Sequence, residues 1–368
     1  MIKVQITNEM LKLISAIDEK RYALGTIELP KTISNKLRKN SKKRSAYSSN
    51  KIEGNPLNEQ QAFEAIEADE HRHFLRPEQE VRNYYLALNL LEKKIENKEK
   101  LSKELILEVQ SLIENGASKE KIGLRGPMLP GFLFAVYDSI TGNPDYIPPE
   151  YSDIEPLLDE LVEYVNTTDD HPLIVAGILH YQLVTIHPFE DGNGRTARLI
   201  SGYLLDYYGY GFNGIGSLDE YFAYNPDEYY SSLQMGLPPL YYEGRNNPPH
   251  PEVWINYFLR MVKLHADKAY EISKDVQSTD YEECLSHLSY KEKEFLAYLL
   301  KNKMYEFRPI DISKMINITN RTVINRCAAL ALNGFITPSI VNKRITSYSL
   351  SNLAKECEAA FKDSFQND

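Results

Sequence analysis

Apolar residues recur every three or four positions over most of the chain, a pattern that predicts α-helices. NEMLKLISAIDEKRYAL (8–24), NEQQAFEAIEADEHRHFL (58–75), PEQEVRNYYLALNLLEKKIE (77–96) and SKELILEVQSLIENG (102–116) each carry this spacing. SDIEPLLDELVEYVN (152–166) adds Ser152 and, three residues on, Glu155, a capping-box arrangement. HPLIVAGILHYQLVTI (171–186) is apolar nearly all round and reads as a buried central helix. Three more helices are expected at about 194–208, 226–236 and 251–277. The rhythm breaks in GPMLPGFLFAVYDSITGNPDYIPPE (126–150), where a short β-like run, FLFAVY, is followed by turn residues and a second extended stretch. This predicts a small hairpin at about 131–147.

The last part of the chain has its own order. SYKEKEFLAYLLKN, RPIDISKMIN, ITNRTVINRCAALALNGFI and TPSIVNKRITSYSL predict three helices and then a two-stranded ribbon. That order is a winged helix-turn-helix. The expected organisation is therefore an N-terminal helical region (1–100), a helical core with its hairpin (101–280), a winged helix-turn-helix module (285–352) and a tail (353–368). The polar stretch ISKDVQSTDYEECL reads as a linker or a helix extension, and the basic run KLRKNSKKR (36–44) as a solvated face or loop.

At 368 residues, 42% of them hydrophobic, the chain can bury cores in two or three domains. A net charge of −10 excludes a globally basic nucleic-acid binder, so any such contact needs a local patch. Cys284, Cys327 and Cys357 are scattered and form no CxxC pair, which argues against a zinc site or a disulfide framework and for a reducing cytoplasm. The N-terminal segment carries charges within a short helix, unlike a signal peptide, and no apolar run is long enough for a membrane span.

The densest chemistry lies in HPFEDGNGRTAR (187–198). Gly192-Asn193-Gly194 can adopt left-handed backbone angles and turn successive N–H groups to one side, an anion nest. Apolar periodicity resumes directly after it, so the nest opens a helix whose dipole also favours an anion. Arg195 and Arg198 are three apart, share a face of that helix and oppose its dipole, so an anion such as a polyphosphate should compensate them. His187 suits proton transfer near neutral pH, and Asp191 is a hard oxygen ligand of the kind Mg²⁺ prefers. Phe189 reads as an anchor into the core and Glu190 as solvent-facing.

The stretch resembles the Fic family signature HPFx(D/E)GNGRxxR at every fixed position. The resemblance spans roughly residues 45 to 280 and implies a mostly α-helical Fic-type core with a hairpin flap. It implies a protein adenylyltransferase that moves AMP from ATP to a Ser, Thr or Tyr hydroxyl of a target protein. His187 would then be the general base, and Asp191 would hold Mg²⁺ at the α- and β-phosphates. Gly192, Asn193, Gly194 and Arg195, with Thr196 and Ala197 beside them, would form the phosphate cradle, and Arg198 would bind the γ-phosphate.

A second resemblance lies upstream. Ser49-Asn50-Lys51-Ile52-Glu53-Gly54 matches the family's inhibitory pattern (S/T)xxxE(G/N), with Ser49 and Glu53 on one face of a helical turn at about 45–54. The resemblance implies that Glu53 pairs with Arg198 and keeps ATP in an unproductive pose. The hairpin falls where the family has its flap, with Phe134, Ala135 and Val136 as the edge expected to hold an extended target segment. Tyr224, with Tyr229 and Tyr230 behind it, is the expected wall for the adenine ring. Two other functions stay open. One is a DNA-binding regulator whose core senses nucleotide, with Arg321, Thr322, Asn325 and Arg326 on a recognition-like helix capped by Thr319 or Asn320, and Asn342, Lys343 and Arg344 on the ribbon. The other is an enzyme that removes AMP. Self-modification and homodimerisation are compatible with the same sequence, and no membrane partner is expected.

Overall fold

The computed structural model describes residues 1–29, 31–69, 71–118, 122–137, 142–237, 247–278, 285–341, 344–351 and 353–354. Cys284, Cys357, Asn342, Lys343, the tip of the hairpin at 138–141 and the tail from 355 lie outside the described residues. The chain divides into two compact units, one of Met1–Arg21 and Asn40–Lys268, the other of Tyr22–Lys39 and Ala269–Asp368. Among the described residues no helix is long and apolar enough to cross a membrane.

The helices expected from periodicity are present: α1 (Asn8–Thr26), then, after α2 (Lys31–Ile52), of which only the end at about 45–54 was expected, α3 (Glu59–Glu67), α4 (Arg76–Glu96) and α5 (Lys103–Glu114). α3 stops well short of residue 75. Asn58 and Gln61 form its capping box, and Ala68 turns to extended backbone and ends it. The hairpin has strands β1 (Val136–Tyr137) and β2 (Pro144–Tyr146), paired antiparallel, with Val136 opposite Tyr146. Phe134 and Ala135 precede the first strand rather than lying in it. α6 (Tyr151–Thr167) has Glu150 as its N-cap and no side-chain cap, so Ser152 sits inside the helix and the expected Ser152–Glu155 capping box is not formed.

α7 (Pro172–Ile186) is the central helix, buried on nearly every side as its composition requires. α8 (Asn193–Tyr207) packs along it, followed by α9 (Leu218–Tyr224), α10 (Pro226–Gln234) and α11 (Pro251–Ser278). Trp254 of α11 is fully buried and its indole N–H donates to the Gly177 carbonyl at 2.7 Å, a polar tie between α11 and α7.

α2 departs from the sequence reading. The basic run 36–44 is helical, and part of it is buried: Lys43 is only 6% exposed, with its ammonium 2.6 Å from Glu67. Lys42 reaches Glu92 at 2.6 Å and Asn89 at 2.8 Å. The correction has a clear cause. The buried residues of α2 are mostly small and polar, Ser41, Ser45, Ala46, Ser48 and Ser49 beside Lys43, Asn50 and Ile52, so they give no hydrophobic periodicity.

In the second unit α12 (Tyr290–Lys301), β3 (Glu306–Phe307), α13 (Pro309–Met315), α14 (Asn320–Leu332), β4 (Ile336–Val341) and β5 (Arg344–Leu350) follow in order. The strands form an antiparallel sheet in the order β3-β5-β4. Phe295, Leu299, Ile312, Val323, Leu330, Phe335 and Tyr348 fill its core. Thr319, not Asn320, caps α14 by accepting from the Thr322 N–H at 3.2 Å.

Candidate active site

The motif loop lies between α7 and α8, in the first unit. His187 is the C-cap of α7 with left-handed backbone angles (φ 49°, ψ 58°), so its side chain leaves the helix axis rather than continuing along it. Its Nδ1 lies 3.3 Å from the Val184 carbonyl, which can only accept. The proton therefore resides on Nδ1, and Nε2 keeps its lone pair. Burial lowers the His187 pKa to about 4, assisted by the Arg125 guanidinium and opposed by the Val184 contact, Glu53 and Asp191. The imidazole is thus neutral at pH 7, as a base must be.

Two structural ties hold the loop shut. The Asn193 side-chain oxygen accepts from the Phe189 N–H at 3.0 Å, while its amide donates to the Phe189 carbonyl at 2.9 Å. Phe189 itself is buried, the expected anchor. Asn193 thus spends its side chain closing the loop and offers a ligand only its backbone. The second tie is Arg125, which sequence reasoning missed. Its backbone N–H donates to Pro188, its Nε to the His187 carbonyl at 2.8 Å and a terminal nitrogen to Pro149, and Phe134 lies under the guanidinium at 4.8 Å. One buried arginine joins motif, hairpin and base.

Gly192, at φ 82°, is the N-cap of α8, and no side chain caps that end. A Cβ there would also lie 2.7 Å from Glu114 Oε1, so glycine is required twice over. The N–H groups of Asn193, Gly194 and Arg195 open the helix and are the natural anion donors. Thr196 and Ala197 are not: both are buried, the Thr196 N–H donates to Gly192 at 2.8 Å, and neither lines the cavity described below. Arg195, also buried, does not line the cavity either.

Each motif arginine is buried between one deeply buried and one half-exposed carboxylate. Arg195 reaches Glu114 at 2.8 Å and Asp191 at 3.2 Å, whose side chains are 0% and 27% exposed. Arg198 reaches Glu53 at 2.7 Å and Asp219 at 3.9 Å, with 34% and 10% exposed. Its Nε also donates to the Ser49 hydroxyl at 2.7 Å and a terminal nitrogen to the Ser49 carbonyl at 3.0 Å. Burial opposes the Arg198 charge, but Glu53 and the other surrounding acidic and hydroxyl groups outweigh it, and its pKa stands well above the ordinary value. Burial raises the carboxyls of Glu114 and Asp219, and the facing arginine pulls each back. Glu114 and Asp219 gave one faint sign in the sequence, a carboxylate recurring on an apolar helix face.

Glu53 is the C-cap of α2. Gly54 donates to Lys51 and Asn55 to Asn50, both at 3.0 Å, which is the bonding of a Schellman stop. A cavity of about 300 Å³ is lined by Glu53, Val136, His187, Asn193, Gly194, Arg198 and Tyr229 among others; Asp191, Gly192 and Arg195 do not line it. Tyr230 also lines it. Tyr224 does not: it ends α9 with 91% of its surface exposed, because Asn225 breaks the helix there and starts α10 anew. The tyrosines that line the cavity are Tyr146, Tyr229 and Tyr230, and Tyr224 is not among them.

Residues 100–205 match the Fic/DOC family. Over longer stretches the chain is 29% identical to the protein adenylyltransferase Fic of Drosophila mojavensis, across 56% of this chain and 40% of that protein. The corresponding protein of Nematostella vectensis is 29% identical across 55% of this chain and 45% of its own length. The chain therefore spans less than half the length of these relatives. Its fold is similar to that of a Fic family protein from Desulfovibrio desulfuricans G20, with a TM-score of 0.59 at 19% identity over 96% of this chain and 98% of that one.

The low His187 pKa has a measurable consequence. Protonation would remove the base only as pH falls through about 4, so turnover should hold level from neutral pH to about pH 5 and decline below it. The same depressed pKa means that the unfolded chain binds this proton first, so the histidine's contribution to stability is lost as pH falls from its unfolded value towards about 4. An acid limb of the pH–rate profile centred at the ordinary histidine value would contradict this desolvation.

Proposed function

We propose that the chain is a protein adenylyltransferase that moves AMP from ATP to a hydroxyl of a target protein and is restrained by its own Glu53. The observation that carries this reading is the meeting, in one cavity, of a neutral histidine, an uncapped helix N-terminus and a buried arginine held by a displaceable carboxylate. The similarity to named adenylyltransferases supports the same reaction. His187 Nε2 takes the proton of the target hydroxyl as its oxygen bonds to Pα. The bond from Pα to the bridging oxygen breaks, and pyrophosphate leaves with its electron pair. Backbone N–H groups at the start of α8, with Arg195 and Arg198, oppose the negative charge that shifts along the phosphates. Val136 of the hairpin lines the cavity, which supports the flap as the edge that presents a target segment.

Mg²⁺ fits Asp191. Its Oδ1 is oriented by the Gly192 N–H at 2.8 Å and the Arg195 guanidinium at 3.2 Å, while Oδ2 faces Arg76 at 3.5 Å, a loose contact at an exposed guanidinium. No cluster of three His, Cys, Asp or Glu occurs among the described residues, so a cation here would complete its shell with phosphate oxygens and water, the habit of Mg²⁺. When bound it supplies neutralising charge at the phosphates. Asp191→Ala should accordingly leave only residual turnover that no longer responds to added Mg²⁺; an unchanged Mg²⁺ titration would remove Asp191 from this role.

The test uses full-length wild-type and Glu53→Gly protein with ATP labelled at the α- or the γ-phosphate. Protein labelled from the α-position alone supports AMP transfer. Label from the γ-position alone identifies phosphoryl transfer and overturns the reading.

The second unit supports a winged helix-turn-helix module through its order of helices and strands. On α14, Arg321 and Asn325 are exposed, whereas the Arg326 guanidinium lies over Phe295 at 5.8 Å. A low-salt gel shift with random duplex DNA separates a DNA-binding module from one that contacts protein.

A further inference from the structure

Arg198 faces two carboxylates, and they differ in what a nucleotide can do to them. Glu53 lines the cavity at the end of a helix and is one-third exposed. A phosphate can take its place. Asp219 does not line the cavity and stands behind the guanidinium, 3.9 Å from Nε. Its Oδ2 accepts from the Tyr84 hydroxyl at 3.1 Å and from the Ser45 hydroxyl. Tyr84 is fully buried and Ser45 is on the buried face of α2. Asp219 is therefore fixed by donors from α4 and α2, and nothing that enters the cavity reaches it.

This arrangement solves a problem that the exchange of Glu53 for phosphate creates. A buried guanidinium that loses its partner either relaxes towards another acceptor or must be held. Nη1 of Arg198 is buried and has no hydrogen-bond partner among the described residues, so the side chain keeps a donor in reserve. It can use that donor only if the group stays in place while Glu53 departs. Ser49 fixes Nε, and Asp219 supplies the remaining charge.

We propose that Asp219 is the positioning residue of Arg198: the permanent counter-carboxylate, seated by Ser45 and Tyr84, that keeps the guanidinium aimed at the γ-phosphate once Glu53 has left. The proposal rests on the reading of Arg198 as the γ-phosphate ligand. It concerns binding of ATP relative to ADP, because only ATP carries the phosphate that Arg198 would hold.

The experiment measures affinities for ATP and for ADP by calorimetry in full-length protein. All variants carry His187→Ala, so bound ATP is not consumed, and Glu53→Gly, so the carboxylate does not compete. The parent should prefer ATP over ADP. Adding Asp219→Asn, which keeps the shape and a hydrogen-bond acceptor but removes the charge, should lower that preference by about tenfold, the scale of one charge-assisted contact. ADP affinity should stay near the parental value, since the nest at Asn193–Arg195 and the wall at Tyr229 and Tyr230 are untouched. Ser45→Ala and Tyr84→Phe each remove one donor to Asp219 and should lower the preference in the same direction by less. They also carry the test if Asp219→Asn does not fold. An unchanged preference in the folded variants, or an equal loss of ATP and ADP affinity, overturns the positioning role. If the parent itself does not prefer ATP, the γ-phosphate reading of Arg198 is what fails.

Discussion

His187→Ala should abolish label transfer while ATP still binds. In the proposed reading ATP is held by the backbone N–H groups at the start of α8 and by Arg195 and Arg198, none of which His187 supports through its side chain. What the imidazole supplies is a lone pair on Nε2, available because Nδ1 is committed to Val184 and because burial keeps the ring neutral. Losing a general base typically costs a factor of about 10² to 10⁴. Calorimetry with ATP and scoring of protein-bound label read the two effects separately. A variant that modifies its target at the wild-type rate would show that His187 is not the base.

The second large effect goes the other way. Glu53→Gly should raise modification of target or of the protein itself, because Arg198 is then free for the γ-phosphate. The pair it breaks is charge-assisted and half-buried, at 2.7 Å. Such a contact contributes on the order of 1.5–3 kcal/mol. Releasing it shifts the productive population by roughly ten- to a hundredfold at about 1.4 kcal/mol per decade. The helix should tolerate the change, since Glu53 is the C-cap of α2 and a carboxylate at that end opposes the helix dipole. Arg198→Ala breaks the same pair but removes the phosphate ligand, so its activity should stay low. That contrast separates a brake from a structural ion pair, for which both variants would only lose stability. An unchanged or lower rate in folded Glu53→Gly protein would end the regulatory reading.

The motif loop was legible because it is local: His187 to Arg198 is one loop and one helix start, whose geometry follows from backbone rules. The Glu53–Arg198 pair, 145 positions apart, was expected only from the family resemblance. The contacts that failed to show are the long-range ones. Glu114 meets Arg195 across 81 positions, and Arg125 meets His187 across 62. No periodicity encodes such a meeting. The first half of α2 was hidden for another reason: its buried residues are mostly serine and other polar side chains, which hydrophobic patterning does not register. Tyr224 misled because four tyrosines lie within ten residues. Which of them face inward depends on the break at Asn225–Pro226, which resets the helical phase between α9 and α10.

Gly194 has a consequence for how this protein can change over generations. A methyl group at that position would overlap Glu53 Oε1 and lie 3.2 Å from Arg198 Nη1. The contact is with the free end of a flexible side chain, so on the proposed reading a methyl group here would displace Glu53 and weaken its hold on Arg198. Residue 194 would then join Ser49 and Glu53 as a position at which the proposed restraint is lost in a single step, and it lies inside the motif itself.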